Sequence, residues 1–321
     1  MTAQARPAIL PPQTRCAVSV PGSTSNLGPC FDSVGCAVSA RNHFEFMLLP
    51  EGAAHTVHLT GPRAAGIPAT PQNLALTSAR RVFFDAGLEP PPMQLRAHIE
   101  VPNARGLGSS STAIIAGLTA GNQLAGAPFT VQEILERAVE WEGHPDNVVP
   151  ALLGGLVVSA SKSRPLLYRR LTVHPDVCFV FVIPEYEVRT AEARRRLPSR
   201  IPLADGVWNS SRSPIVILSM HTGDLTGLRE AMQDRFHHPY RKDLFREYER
   251  FEQAAFDAGA AGYCISGAGS AMLAVCKREA RDQLMDALEA TLTECVFTGA
   301  VRDLEPDQLG TQTSLSLPAP E

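Results

Sequence analysis

The sequence predicts a mixed α and β fold in which strands and helices meet at glycine-rich loops, and three stretches carry that prediction. Residues 94–101 put Leu95, Ala97, Ile99 and Val101 on one side and Arg96, His98 and Glu100 on the other. This period of two marks a half-buried strand. Residues 111–124 set Ile114, Ile115, Leu118 and Leu124 among alanines, the composition of a buried helix. Residues 263–275 read as strand, glycine loop and strand, with Gly267 and Gly269 between two apolar runs.

The first two stretches are joined by Val101-Pro102-Asn103-Ala104-Arg105-Gly106-Leu107-Gly108-Ser109-Ser110-Ser111-Thr112. Strand, glycine–serine loop and helix start together point several backbone N–H groups and the positive helix end at one spot, where a phosphate belongs. A tight turn with serine caps is the plainer reading of such a loop. It is not a Walker A loop, which ends in Gly-Lys-Ser/Thr, because the first lysine of the chain is Lys162. The glycine spacing of the dinucleotide fingerprint is also missing.

At 321 residues the chain can hold one large domain or two smaller ones. A hydrophobic fraction of 44% and a charged fraction of 19% are those of an ordinary globular protein. The formal charge of -4 argues against a nucleic-acid surface, and no apolar run reaches signal-peptide or transmembrane length. Seven cysteines without metal-ligand spacing read as reduced thiols, so a cytoplasmic protein is expected.

In chain order, residues 1–13 are rich in proline and alanine and read as loose, and 16–20 form a strand ended by Pro21. Residues 22–35 are dense in turn formers. Strands are predicted over 40–49 and 55–59, and a helix from the Thr70-Pro71 start to about Gly87. Thr130-Val131-Gln132-Glu133 is a capping box, and Ile134, Leu135, Ala138 and Val139 give the helix behind it a buried stripe. Gly143 and Pro145 end that helix, and 151–161 turn from helix to strand through Gly154-Gly155. In the second half, 177–183 is an apolar strand, 189–198 a short arginine-rich helix, and 207–220 and 223–236 two further helices. Leu244, Tyr248, Phe251 and Ala255 mark a later helix ended by Gly259, and the polar stretch 305–321 reads as a disordered tail. Cys16, Cys36, Cys178, Cys264 and Cys276 sit in apolar stretches as core thiols, and His237-His238 has no third ligand nearby to suggest zinc.

Three motifs therefore stand in fixed order: residues 21–35, the loop of 102–112, and Ile265-Ser266-Gly267-Ala268-Gly269-Ser270-Ala271. Their order resembles the GHMP kinases (galactokinase, homoserine kinase, mevalonate kinase, phosphomevalonate kinase), whose phosphate loop reads Pro-x3-Gly-Leu-Gly-Ser-Ser. Glu142-Gly143-His144-Pro145-Asp146-Asn147, Thr190-Ala191-Glu192-Ala193-Arg194 and His238-Pro239-Tyr240-Arg241 narrow the resemblance to the bacterial homoserine kinases. The chain departs from the pattern in four places. Ser23 and Thr24 exchange their usual order, and Cys30 replaces a glycine, a change that could tighten or re-aim the turn. Ser270-Ala271 stand where Pro-Thr is common, and Lys242 to Arg246 replace a Leu-x-Pro-Gly.

The resemblance implies an α+β, two-domain GHMP kinase fold with the active site between the domains. Residues 1–164 would form a ribosomal protein S5 domain 2-like, ATP-binding domain, and 165–304 a ferredoxin-like C-terminal domain. It implies ATP-dependent phosphorylation of the L-homoserine hydroxyl for threonine synthesis, with Mg2+ as cofactor and a homodimer as a frequent state. Pro102, Asn103, Ala104, Arg105, Gly106, Leu107, Gly108, Ser109, Ser110, Ser111 and Thr112 would cradle ATP. Ser110 and Glu142 would hold Mg2+, Glu142 being preferred to Glu140 because it borders the loop. Arg194 and Arg241 match the carboxylate-binding arginines, a task suited to a planar guanidinium fork, and Thr190 shares the motif of Arg194. Asn26, Asp32, His144 and Asn147 would surround the substrate's amino and hydroxyl ends. Asp146, Asn147 and Asp32 form the candidate catalytic set, with Asp146 a base or an orienting group. Arg105 is the candidate cation in place of an absent lysine.

Each residue also has a plainer reading: a helix cap for Ser110, a solvated run for Arg194, and backbone-bonding turn residues for Asp32 and Asn26. A kinase for another small hydroxyl metabolite, or a catalytically silent sensor of ATP and a metabolite, would share most of these motifs.

Overall fold

The computed structural model describes residues 8–318 and contains two antiparallel-rich sheets. The first is built on β1 (Arg15–Ser25) and β2 (Val34–Leu48), which pair antiparallel with a bulge between Pro21 and Gly22. Pro21 does not end β1, because a bulge relieves a ladder of the donor that proline lacks. β3 (Thr56–Thr60) and β4 (Met93–His98) run parallel, joined by α1 (Leu74–Asp85). The helix starts later than the Thr70-Pro71 signal because Asn73 caps it, its side chain accepting from Ala75 N at 3.0 Å.

α2 (Ser109–Leu124), α3 (Val131–Glu142) and α4 (Pro145–Leu153) follow, and the capping box at Thr130 forms as expected. β5 (Leu156–Ser159) pairs with the start of β2 and with β6 (Tyr168–Leu171), so this sheet continues past residue 164. One core lies between sheet and helices, where Phe46, Leu95, Leu76, Phe83, Ile115 and Val148 are fully buried.

The second sheet begins with β7 (Val177–Pro184). After it come α5 (Thr190–Arg195), α6 (Leu203–Thr222), α7 (Leu228–Ala231), α8 (His238–Arg241) and α9 (Tyr248–Asp257). β8 (Gly262–Ile265), β9 (Met272–Lys277), α10 (Arg281–Thr293) and β10 (Gly299–Asp303) complete a four-stranded sheet of order β10-β7-β9-β8. With α9 and α10 packed together on it, this is the β-α-β-β-α-β ferredoxin-like arrangement. The helix expected over 223–236 shrinks to α7, because Gly223 and Gly227 both turn left-handed.

Residues 305–321 were expected to be disordered, and the structure corrects this for 305–318, while 319–321 lie outside the described residues. β11 (Gln312–Ser316) pairs antiparallel with β1, from Arg15 opposite Ser316 to Ser19 opposite Gln312, and Arg41 pairs with Asp307. Every side chain of β11 is exposed, so composition shows only polarity, while the strand is held through its backbone. Near the other end, Leu10 N and Gln13 N donate to Leu124 O and Leu48 O, so the chain is tied there too. The loose character expected of residues 1–7 lies outside the described residues. A second core joins the sheets, with Leu27, Cys36 and Leu107 packed on Phe179, Phe181 and Leu273, and it fixes the seam where the three motifs meet.

Candidate active site

The loop before α2 turns left-handed at Ala104, Gly106 and Gly108, with φ of 53°, 72° and 69°. Its carbonyls are held by the flanking segments. Ala104 O accepts from Val188 N, Arg105 O from Ala271 N, Gly106 O from Ser266 Oγ and Leu107 O from Ser23 N, at 2.7 to 3.2 Å. With the carbonyls so fixed, the N–H groups of Gly106 through Ser111 have no protein acceptor among the described residues. They gather at the N-terminus of α2, which makes an anion site. Gly106 is required by contact as well as by φ, because a Cβ there would lie 2.0 Å from Ser266 O.

Gly106 to Ser110 of this loop line a cavity of about 210 Å³. Its lining includes residues 103–110 and brings together Asn26, Asp32, Glu142, His144, Asp146, Asn147, Thr190, Arg194 and Arg241. Pro102, Ser111 and Thr112 lie outside it. Thr112 Oγ1 donates to Ser109 O and receives Asn42 Nδ2, a structural role. A second cavity of about 240 Å³ shares Asn103, Ser109 and Ser110 with the first, and Phe44, Leu59, Ile67, Leu74 and Ile99 give it apolar walls. The sequence reading missed this cavity, since its walls come from separate strands and loops with no motif of their own.

At the loop end, Ser111 Oγ donates to Glu142 Oε1 at 3.1 Å, and Ser110 and Glu142 line the same cavity. Burial raises the Glu142 pKa, while His144 and the two serines act in the opposite direction. Glu140 lines a separate cavity with Arg137 and Lys162. A partly buried carboxylate beside hydroxyls is a set of hard oxygen donors, so these residues fit a magnesium ion. Arg105 is a correction. Its guanidinium donates to the carbonyls of Pro184, Asn103 and Glu185 and pairs with Glu187, so it anchors the loop to β7 and does not stand free for a phosphate.

At the opposite end, Arg194 grips Asp32 with both prongs, Nη1 to Oδ2 at 3.0 Å and Nη2 to Oδ1 at 2.6 Å. Arg241 is 2% exposed and is held by Ala193 O at 3.2 Å. Burial, with Arg194 adding to it, pushes its pKa down to about 10. The Phe31 ring lies between the two, 5.6 Å from the Arg194 guanidinium carbon and 5.3 Å from that of Arg241. His144 Nδ1 meets Asp146 Oδ1 at 2.5 Å. Burial alone would lower the His144 pKa, but its bond and charge interaction with Asp146 outweigh burial and raise it.

The two asparagines line the cavity with their amides already engaged. Asn26 donates to Gly267 O and accepts from Asp32 N, while Asn147 accepts from Ser23 Oγ and donates to Ser25 Oγ. Both therefore hold loops in register. Cys30 keeps an ordinary negative φ and is buried, so the lost glycine leaves no strain. The His237-His238 pair does have a third neighbour, contrary to expectation, because folding brings Asp234 beside it. Asp234 is already occupied by backbone donors from Phe236, His237 and His238, which makes the cluster a cap for α8.

Residues 73–155 match the family described as GHMP kinases N terminal domain, and 216–294 match GHMP kinases C terminal. A homoserine kinase of Nostoc punctiforme is 38% identical over 92% of this chain and 97% of its own. One from Trichodesmium erythraeum is 41% identical over 80% of this chain and 85% of its own. The chain belongs to the homoserine kinase family of GHMP kinases. Among solved structures, the homoserine kinase of Cytophaga hutchinsonii aligns with a TM-score of 0.83 at 27% identity, over 94% of this chain and 97% of that one. L. major mevalonate kinase, at 17% identity and a TM-score of 0.66 over 95% of this chain and 99% of its own, shares the GHMP kinase fold. Among the described residues no helix is long and apolar enough to cross a membrane.

Proposed function

We propose that the protein transfers the γ-phosphoryl group of ATP to the side-chain hydroxyl of L-homoserine, giving O-phospho-L-homoserine. The observation that carries this reading is one small cavity with unpartnered N–H groups at one end and Arg194 and Arg241 at the other. The first end suits phosphates, and the second suits the carboxylate of an amino acid. The names of the relatives point to the same pair of substrates.

The phosphates of ATP lie on the N–H groups of Gly106 to Ser111, and the base enters the apolar-walled neighbouring cavity. Glu142 and Ser110 would hold magnesium, which when bound neutralises charge on the phosphates. The homoserine carboxylate takes the guanidinium fork that Asp32 fills in the free protein, and Arg241 gains a counter-ion. Asp32, displaced, meets the incoming ammonium. The hydroxyl oxygen bonds to the γ-phosphorus as the bond to ADP breaks, and its proton passes to the Asp146–His144 pair. Positioning does most of this work, since a loose phosphoryl-transfer transition state needs little early deprotonation.

ADP release with Mg-ATP tests the reading on L-homoserine, L-serine, L-threonine, mevalonate and galactose. Turnover confined to L-homoserine and mostly lost in Arg194→Ala is the expected result. Turnover on another acceptor overturns the substrate, and ATP binding without any turnover favours the silent sensor. A cytoplasmic setting belongs to this reading, supported by seven free cysteines of which six are buried. A homodimer belongs to it through the family resemblance, and sedimentation velocity tests it.

A further inference from the structure

α8 separates two cavities. Arg241 lines the acceptor site, whereas His238 and Pro239 line a cavity of about 480 Å³. Aromatic rings wall this second space. Tyr248 and Tyr263 lie 5.2 Å apart, with Phe256 beside them. Tyr263 is 4% exposed, and its hydroxyl is buried with no hydrogen-bond partner. Glu252, half-buried on α9, lines the same space and makes no ion pair or hydrogen bond among the described residues. Burial raises its carboxyl pKa, and the nearby charges of Lys242 and Arg229 act against that rise. The Arg229 guanidinium sits 3.9 Å over the Phe256 ring, and Lys242 Nζ lies 5.2 Å from the Tyr248 ring while pairing with Glu249 at 3.2 Å.

Buried polar groups normally have partners, and here a buried phenol lacks one in a cavity that also holds a half-buried, unpaired carboxylate. An ammonium group satisfies both, and aromatic faces favour it further. The two cations at the same cavity suit a carboxylate, and the rings suit an apolar side chain. We propose that this cavity binds a free α-amino acid with an apolar side chain, and that its occupancy changes homoserine affinity through α8. The coupling has a short path. His238 Nε2 accepts from Ile265 N at 3.2 Å, His238 N donates to Asp234 Oδ2 at 2.6 Å, and Arg241 stands one turn further along the same four-residue helix. A ligand against His238 and Lys242 thus bears on the residue that meets the substrate carboxylate, and linkage makes the effect reciprocal. The binding claim stands alone, and only the coupling rests on the homoserine kinase reading.

Calorimetry with L-isoleucine, L-methionine and L-phenylalanine, with and without saturating L-homoserine, tests the binding. Equimolar binding of at least one is expected in both conditions, weakened about tenfold or more by Glu252→Gln and by Tyr263→Phe. Both variants should keep the wild-type thermal midpoint and kcat without the ligand, which a merely structural role for Glu252 would not allow. The bound amino acid should shift the KM for L-homoserine about fivefold or more and leave the KM for ATP unchanged. No binding at about 10 mM of any of the three, or binding that Glu252→Gln leaves intact, overturns the site. A flat homoserine KM with binding lost in Glu252→Gln overturns the coupling alone, and failure to turn over homoserine would sink the kinase reading without touching the calorimetry.

Discussion

Arg241 is a buried cation without a carboxylate of its own, so replacing it should pull stability and activity in opposite directions. Its pKa falls well below the usual guanidinium value, to about 10, chiefly through burial. At ~1.4 kcal/mol per tenfold, the fold carries roughly 3 kcal/mol of unfavourable charge there. Methionine has similar length and no charge, and buried charges exchanged for apolar groups of like volume often stabilise by about 1–4 kcal/mol. Against this, Ala193 O loses its donor at 3.2 Å, at a cost of about 1–3 kcal/mol. Arg241→Met without substrate should therefore gain about 1 kcal/mol, or about 1–2 °C in Tm. On the proposed function the same change removes the counter-ion for the homoserine carboxylate, and losing one partner of a buried charge pair costs about 2–5 kcal/mol. In kcat/KM that is a fall of about 30-fold to several thousand-fold. Differential scanning fluorimetry of the free protein and ADP-release kinetics read the two effects separately. A variant that melts below wild type, or that keeps kcat/KM within about fivefold, would refute the reasoning.

Four further outcomes are expected. Glu142→Gln should reduce kcat by about 100-fold or more and raise the magnesium concentration for half-maximal rate, and unchanged magnesium dependence would remove Glu142 from that role. His144 has its folded pKa raised by Asp146, so the stability from this pair is fully present below the unfolded histidine pKa and lost as pH rises through the folded one. Urea midpoints across pH should show wild type exceeding Asp146→Asn by about 1.5–3 kcal/mol in acid, narrowing at alkaline pH, and a gap that does not change with pH counts against the pair. Gly106→Ala forces a Cβ to 2.0 Å from Ser266 O, and should cost at least about 1–3 kcal/mol and weaken ATP binding, measured by nucleotide titration. Removing residues 305–321 strips β11 and the Asp307 partner of Arg41 from the first sheet, so soluble yield and Tm should both fall, and an unaltered Tm would show the pairing to be dispensable.

The three motifs were legible because each is a local string whose chemistry survives without coordinates: Asn26-Leu27-Gly28 in the first, Gly106-Leu107-Gly108 in the second, Gly267-Ala268-Gly269 in the third. What could not be read is what each side chain would find opposite it. Arg105 looked free for a phosphate in the string, yet it meets the carbonyls of Pro184 and Glu185 about 80 positions away. Asp32 and Arg194 both looked like substrate ligands, and their mutual grip in the free protein joins residues that no spacing rule connects. The apolar walls from Phe44 to Ile99 were invisible for the opposite reason, since isolated hydrophobic residues carry no signature. α10 was overlooked although Leu284, Leu288 and Thr291 mark its buried side, a weaker stripe than that of α3. The strand at 312–316 was missed because its pairing uses backbone groups, and a polar composition says nothing about those.

That strand also sets a timetable for synthesis. β1 enters the sheet at residue 15, but its outer edge is closed only by residues 312–316. While the ribosome is still making the ferredoxin-like half, the first sheet waits with an open edge, the feature that invites pairing with a neighbouring nascent chain. The first sheet can therefore be finished only after the ferredoxin-like half has been made. A message cut before the codons for residues 312–316 would yield a chain holding every motif discussed above and a sheet that is not sealed.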